Sequence, residues 1–398
     1  MDGDGGMNVT RHLMLPAIVA FLVAFLIATI GCDRPERARH NQLFAEAEAT
    51  RDARTRRAQP DYLPEMAAAG LGTYAREDPL ADSFSIERAA AFMDGVAVSW
   101  GERFGCVTCH TNGFYLTLPA SLFSHRTGYQ QVQEDARKFI RSWPSVEDAQ
   151  EEDTYLEDTY VVATGAFLAI SELQRGDELS AVTIEALDRA WALQEPEGHW
   201  PNWVASNWPP FESDYHFGVT LMAIVGGIAP SSYMETTAAR KGMTRIRRYL
   251  AENETEHVHH RGMMLWAARH VDGLVTEEQR RLWVEELRNL QRDDGGWASG
   301  DLGVWRQGDG SESNPWVNVE SDGYGTGFVM FVLMQSGVSA SDPAIQRGIE
   351  WLVTHQRSRG YWWTQSLKNV TNTANFLTHA GTTFALKALE AAGVTDSD

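Results

Sequence analysis

From about residue 80 onward, apolar residues recur at helical spacing, as in Leu187, Trp191 and Leu193, or Ile345, Ile349 and Leu352. Two kinds of helical segment alternate. One kind carries charge along one face, such as Glu277, Arg280 and Arg281 within residues 275–291. The other is apolar and rich in small residues on all sides, the pattern of a helix buried on every face. The first kind is predicted at 84–97, 129–143, 181–195, 236–252, 275–291 and 343–356. The second is predicted at 106–120, 157–173, 214–228, 258–271, 322–337 and 374–391. The series opens with a charged-face helix and closes with a buried one.

A signature, Q-x-x-x-G-x-W, punctuates this alternation three times: Gln194-Gly198-Trp200, Gln291-Gly295-Trp297 and Gln356-Gly360-Trp362. Repetition of this kind marks an array of identical supersecondary units. The three motifs resemble the QW motifs of the squalene–hopene cyclase and prenyltransferase superfamily. The resemblance covers roughly residues 80–398. It implies an all-α, six-by-six α/α toroid, with an inner ring of helices inside an outer ring. The outer-to-inner loops would then gather at the mouth of an apolar cavity. The motif is specific for the fold and weak for activity. The D-x-D-D acid cluster with which such cyclases protonate their substrates is missing. The nearest stretch, Glu320-Ser321-Asp322-Gly323-Tyr324, keeps one Asp. Asp322 reads either as the N-cap of the next helix or as a remaining acid of the site.

The chain preceding the repeats is different in character. Residues 13–30 are apolar and follow Arg11 and His12, as in an export segment. The run ends Ala28-Thr29-Ile30-Gly31-Cys32, which resembles a bacterial lipoprotein processing site with Cys32 as the lipidated residue. An uncleaved membrane-spanning anchor is the alternative, because the run is long enough to cross a bilayer. Both readings place the rest of the chain on the periplasmic side of the cell membrane. Residues 33–80, with seven Arg between Arg34 and Arg57, predict a charged tether close to anionic head groups. Residues 81–398 are left as the toroid domain. The net charge of −20 argues against nucleic acid, which needs a basic face. It suits a solvated surface or a basic redox partner protein.

Three cysteines occur in all, and two stand in Cys106-Val107-Thr108-Cys109-His110. C-x-x-C-H is the attachment pattern of c-type haem. Two thiols at this spacing reach both vinyl groups of one porphyrin, and the adjacent His supplies an axial nitrogen. Cys106, Cys109 and His110 are therefore expected to hold haem c. They would do so in the opening turn of the predicted helix 106–120, at the cavity mouth. The Met ligand of small cytochromes c has no counterpart, since no Met occurs between His110 and Met222.

Aligning the buried segments on Gly218, Gly262, Gly325 and Gly381 produces H-x-G three times, at His216, His260 and His379. This predicts one layer of histidines around the cavity. His379 is the first choice as a second metal ligand on the iron or as an acid–base residue, followed by His260 and His216. Tyr324 and Asp322 are further proton donors. Pocket histidines bonded to their neighbours are the plainer alternative. Three functions stay open: a haem-dependent oxidoreductase acting on a hydrophobic small molecule, an electron-transfer or haem-sensing module, and a cyclase- or prenyltransferase-like enzyme.

Overall fold

Side-chain capping decides where most of the charged-face helices begin. The computed structural model describes residues 71, 73–143, 157–201, 203, 208–305, 320–367 and 375–396. The predicted export segment and Cys32 lie outside them, as do residues 1–70 of the anchor and tether. The described chain is all-α, with fourteen α-helices, a short 3₁₀ turn at Ser299–Leu302 and isolated bridges such as Leu80 to Arg357 in place of strands. In order these are α1 (Ile86–Phe104), α2 (Asn112–Tyr115), α3 (Ala120–Phe123), α4 (Thr127–Arg141) and α5 (Glu157–Gln174). Then come α6 (Ala181–Leu193), α7 (His216–Ile228), α8 (Ser231–Met234), α9 (Thr237–Glu252) and α10 (Val258–Ala267). The last four are α11 (Glu277–Asn289), α12 (Gly323–Gln335), α13 (Pro343–His355) and α14 (Leu377–Ala391). Side chains of Ser85, Ser180, Thr236, Thr276 and Asp342 cap five of the six charged-face helices, α1, α6, α9, α11 and α13. Each satisfies a backbone N–H that the helix cannot, worth about 1 kcal/mol.

The first buried segment departs from expectation. Helix α1 runs on to Phe104, well past residue 97. It stops at Gly105, which takes the left-handed conformation at φ 63° while its N–H caps Gly101 O. Residues 106–111 then form a loop, and only the single turn α2 is helical before Pro119. The Asn112 side chain explains part of this, because it bonds back to the loop instead of leaving the backbone to a helix. The Cys106–His110 motif therefore lies in this loop and not in the first turn of a helix.

Six helices, α2, α5, α7, α10, α12 and α14, pack side by side in chain order, and α14 also meets α2, so the cycle of contacts closes. The charged-face helices pack on the outside of this row, α1 on α2 and α14, α6 on α5, and α13 on α12. The closest pair is α12 and α14, where a side chain on Gly327 would strike the Ala385 backbone. Each of the six buried helices sends an aromatic side chain inward. Phe114 touches Phe167, Phe217 and Phe384, at ring centroids 5.3, 5.9 and 5.1 Å away. Phe384 in turn meets Trp266, Tyr324, Phe328 and Phe331. At this level the expected open cavity is aromatic packing.

The three repeated motifs do one mechanical job. Each Trp donates its indole N–H to the helix before it: Trp200 to Ala190 O, Trp297 to Leu287 O and Trp362 to Leu352 O. Each Gln bonds its own Gly carbonyl and reaches the next charged-face helix, Gln194 to Gly242 O, Gln291 to Ala344 O and Gln356 to Ser85 O. The third staple joins the end of the series to its start. Gly360 has φ 101°, and a Cβ there would strike the Arg88 carbonyl. Gly360→Ala should thus cost about 3 kcal/mol of unfolding free energy in urea titration. Gly273→Ala, at φ 71° with open space around it, should cost only about 1 kcal/mol. Equal losses would refute the role of close approach.

Candidate functional site

The Cys106–His110 loop is preformed. Asn112 Oδ1 accepts from Thr108 N–H at 2.9 Å, and Asn112 Nδ2 donates to Cys106 O at 2.8 Å. Gly113 N–H closes the loop on Thr108 O at 3.0 Å. Both cysteines are unpaired thiols, Cys106 partly exposed and Cys109 buried. Burial pushes both thiols up from their ordinary pKa, Cys109 furthest, so neither ionises near neutrality. The His110 ring stacks on Phe376 at 5.0 Å, with Trp100 edge-on at 4.9 Å and Trp208 tilted at 5.5 Å. The buried Trp100 indole N–H lies beside the Cys106 thiol and makes no hydrogen bond of ordinary geometry among the described residues.

A relay of polar side chains stands behind His110. Its Nδ1 meets Thr111 Oγ1 at 2.7 Å, and the same hydroxyl meets His379 Nδ1 at 2.8 Å. His379 Nε2 then meets the Tyr74 hydroxyl at 2.8 Å. Burial, and secondarily the charge of Arg359, lowers His379 to about 3, so its ring is neutral. Both of its nitrogens are committed, and it reaches His110 on the Nδ1 side. His379, expected as a second metal ligand or an acid–base residue, stands here as a buried residue with both ring nitrogens hydrogen-bonded, to Thr111 and to Tyr74. Tyr74 belongs to residues assigned by charge to the tether, yet it is buried, and Leu80 and Ala81 pair with the 356–357 stretch.

The predicted histidine layer splits. His216 and His260 do meet, with rings stacked at 4.2 Å and 10° apart. Asp214 joins them: its Oδ1 accepts from His216 N–H and its Oδ2 lies 2.8 Å from His260 Nε2. His257, one helical turn before His260, sits 4.7 Å away edge-on. Its Nδ1 accepts from Val304 N–H at 3.3 Å. Burial alone would raise Asp214, but the charge and hydrogen bond of His260 outweigh it and hold the carboxyl well below its usual range. Burial, reinforced by His260, lowers His216 strongly and His257 to about 4.

Two further predicted residues have structural roles. Asp322 caps α12, accepting from Gly325 N–H and from both the N–H and Oγ of Ser299. Burial raises it to about 6 against those hydrogen bonds. Tyr324 is buried among the central aromatics with its hydroxyl 2.8 Å from His259 Nε2. It faces no histidine of the H-x-G set. Sequence reasoning passed over Tyr74, Thr111, His257, His259 and Lys387. For His257 a signal existed, since H-x-x-H puts two imidazoles on one helix face. Tyr74 and Lys387 had none.

No protein-family model matches the chain, and no curated protein matches it. Among the described residues no helix is long and apolar enough to cross a membrane.

Proposed function

We propose that the chain is an exported, membrane-anchored electron-transfer protein with one haem c on a cyclase-like α/α toroid. The cyclic packing of six buried helices inside charged-face helices, closed by the Gln356 staple, supports the toroid. The observation that carries the haem is the pairing of a preformed C-x-x-C-H loop with a His110 held by its Nδ1. The donor set fits the group: two unpaired thiols, an imidazole, flat aromatic faces, and a buried Trp100 N–H suited to a carboxylate.

Cys106 and Cys109 would form the thioethers and His110 would bind through Nε2. Bound haem supplies a one-electron couple. The residues around it fix the rest. With Nε2 given to iron, His110 carries its proton on Nδ1 and donates to Thr111. Thr111 has one hydrogen, so it donates to His379 Nδ1. His379 then holds its proton on Nε2 and donates to Tyr74. Every hydrogen bond in the relay points one way, which sets one tautomer and one ring orientation for His110. Trp100, Trp208 and Phe376 exclude water from that ring. The dry, apolar setting favours the reduced, less charged state.

The aromatic filling of the interior favours electron transfer over deep substrate binding. Oxidation of a hydrophobic molecule at the mouth is the second reading, and the rings around His110 are what favour it. A pyridine haemochrome spectrum of protein expressed with the haem-attachment machinery should show the thioether-type signal. Cys106→Ala/Cys109→Ala should abolish it, and its absence in the parent chain would sink the haem reading. Carbon monoxide should bind the reduced protein poorly if electron transfer is the function, and readily if the mouth is a reaction site.

A further inference from the structure

The cluster beside α7 and α10 does not belong to the haem loop, and its chemistry is that of a metal centre. Asp214, His257 and His260 each present a ligand atom, and these atoms lie within 4.8 Å of one another. Ligands at about 2.0–2.1 Å around a tetrahedral ion stand roughly 3.3 Å apart, so closing the set needs side-chain rotation and the release of the long 3.3 Å bond from Val304 N–H to His257. His216 supplies an independent observation. It is 3 % exposed, stacked on His260, and neither of its ring nitrogens has a hydrogen-bond partner among the described residues. A buried unpartnered imidazole nitrogen is costly and calls for a ligand. His260 Nδ1 is also buried without a partner.

We infer that Asp214, His257 and His260, with His216 as the fourth donor, bind one divalent first-row transition metal ion. Three imidazoles and a carboxylate, with no thiolate, suit ions such as Zn²⁺, Co²⁺ or Cu²⁺ rather than Ca²⁺ or Mg²⁺. The ion would take the place of the proton shared by Asp214 and His260. His216 must turn out of the stack to join, and its unpartnered nitrogens mean that the turn breaks no hydrogen bond. Asp214 and His257 are partly exposed, which gives the ion a way in, while His216 and His260 form the closed side. The donors come from rigid places, His216 and His260 in first helical turns and Asp214 held by the start of α7.

The site also adjoins the haem loop through one segment. Residues 208–216 carry the Trp208 ring against His110 at one end and two of the ligands at the other. An ion would fix that segment in place.

The test uses the full exported protein and, separately, its Cys106→Ala/Cys109→Ala form, both stripped by chelator and titrated with Co²⁺. One equivalent should bind to each form with visible ligand-field bands and no sulfur charge-transfer band. Zn²⁺ should displace it and raise the melting temperature. Agreement between the two forms separates this inference from the haem reading, which can fail alone. His257→Ala and Asp214→Asn, both at the partly exposed edge, should weaken Co²⁺ binding at least tenfold, and His216→Ala less. His125→Ala, at an exposed position, should change nothing. Failure of the parent protein to take up Co²⁺ would overturn the site, as would uptake unaltered in both edge variants.

Discussion

Phe384→Ala is expected to lower the unfolding free energy by about 4 kcal/mol, the range for emptying a large aromatic from a packed core. Phe384 is fully buried on α14 and touches Phe114 of α2, Trp266 of α10, and Tyr324, Phe328 and Phe331 of α12. It links four of the buried helices, as many as Phe114 does. Its removal takes away burial, opens a cavity, and unfastens contacts across the middle of the ring. The neighbours cannot collapse inward freely, because they are anchored on three separate helices, α2, α10 and α12. Urea unfolding would read the loss directly. A change below about 1 kcal/mol would mean that the interior repacks freely, contrary to the interlocked arrangement seen.

Lys387 should make the protein more stable as pH rises from 7 toward the ordinary thiol range, above which the buried Cys106 and Cys109 thiols oppose it. It is buried on α14, with Nζ 3.1 Å from Thr117 O and 3.2 Å from Thr117 Oγ1, and 4.6 and 4.7 Å from the centroids of Trp266 and Phe331. Burial lowers its amine to about 7, against an attraction from Glu390 that is weaker. Between that value and the ordinary lysine range, the unfolded chain keeps its proton while the folded chain has lost it. The unfolded state then binds more protons, so stability rises with pH across this window. Below pH 7 both states are charged and the penalty is flat. At about 1.4 kcal/mol per pH unit, the rise amounts to a few kcal/mol. The opposing slope begins with the buried thiols and grows above pH 10, where burial holds Tyr324, Tyr249 and Tyr361 protonated in the fold but not in the unfolded chain. Lys387→Met should flatten the pH dependence and gain about 2 kcal/mol at pH 7, after loss of the bonds to Thr117. Urea midpoints at pH 7, 8.5 and 10 for both proteins would check this. A difference between parent and variant that does not change with pH in that window would refute the role of Lys387.

The alternation of charged-face and apolar helices was legible because burial on one side or on all sides leaves a direct mark on composition. Thirteen-residue helices such as Pro343–His355 and Gly323–Gln335 carry that mark over their whole length. The first buried segment misled for a local reason: its apolar residues, Phe114 to Leu118, are core residues of a loop and a single turn. The histidine layer misled for a geometric one. Sharing an H-x-G motif does not fix the rotation of a helix about its axis, so His379 turned toward Thr111 while His216 and His260 turned toward each other. Tyr74 was illegible because its partner His379 stands 305 residues away. The filling of the interior depends on how far each aromatic reaches across the ring, which periodicity does not encode.

The Gln356 staple also sets an order in time. Its partner Ser85 stands 271 residues earlier, so helix α1 cannot acquire that contact until nearly the whole chain exists. Closing so long a loop carries an entropy cost that no local contact offsets, which makes it a late and slow event. The same delay applies to the covering of His110 by Phe376 and to the seating of Thr111 on His379, since both partners lie near the end of the chain. Until α14 arrives, the loop that carries the two thiols lacks part of its final cover, at His110 and Thr111. Whatever chemistry must reach that loop has that interval in which to act.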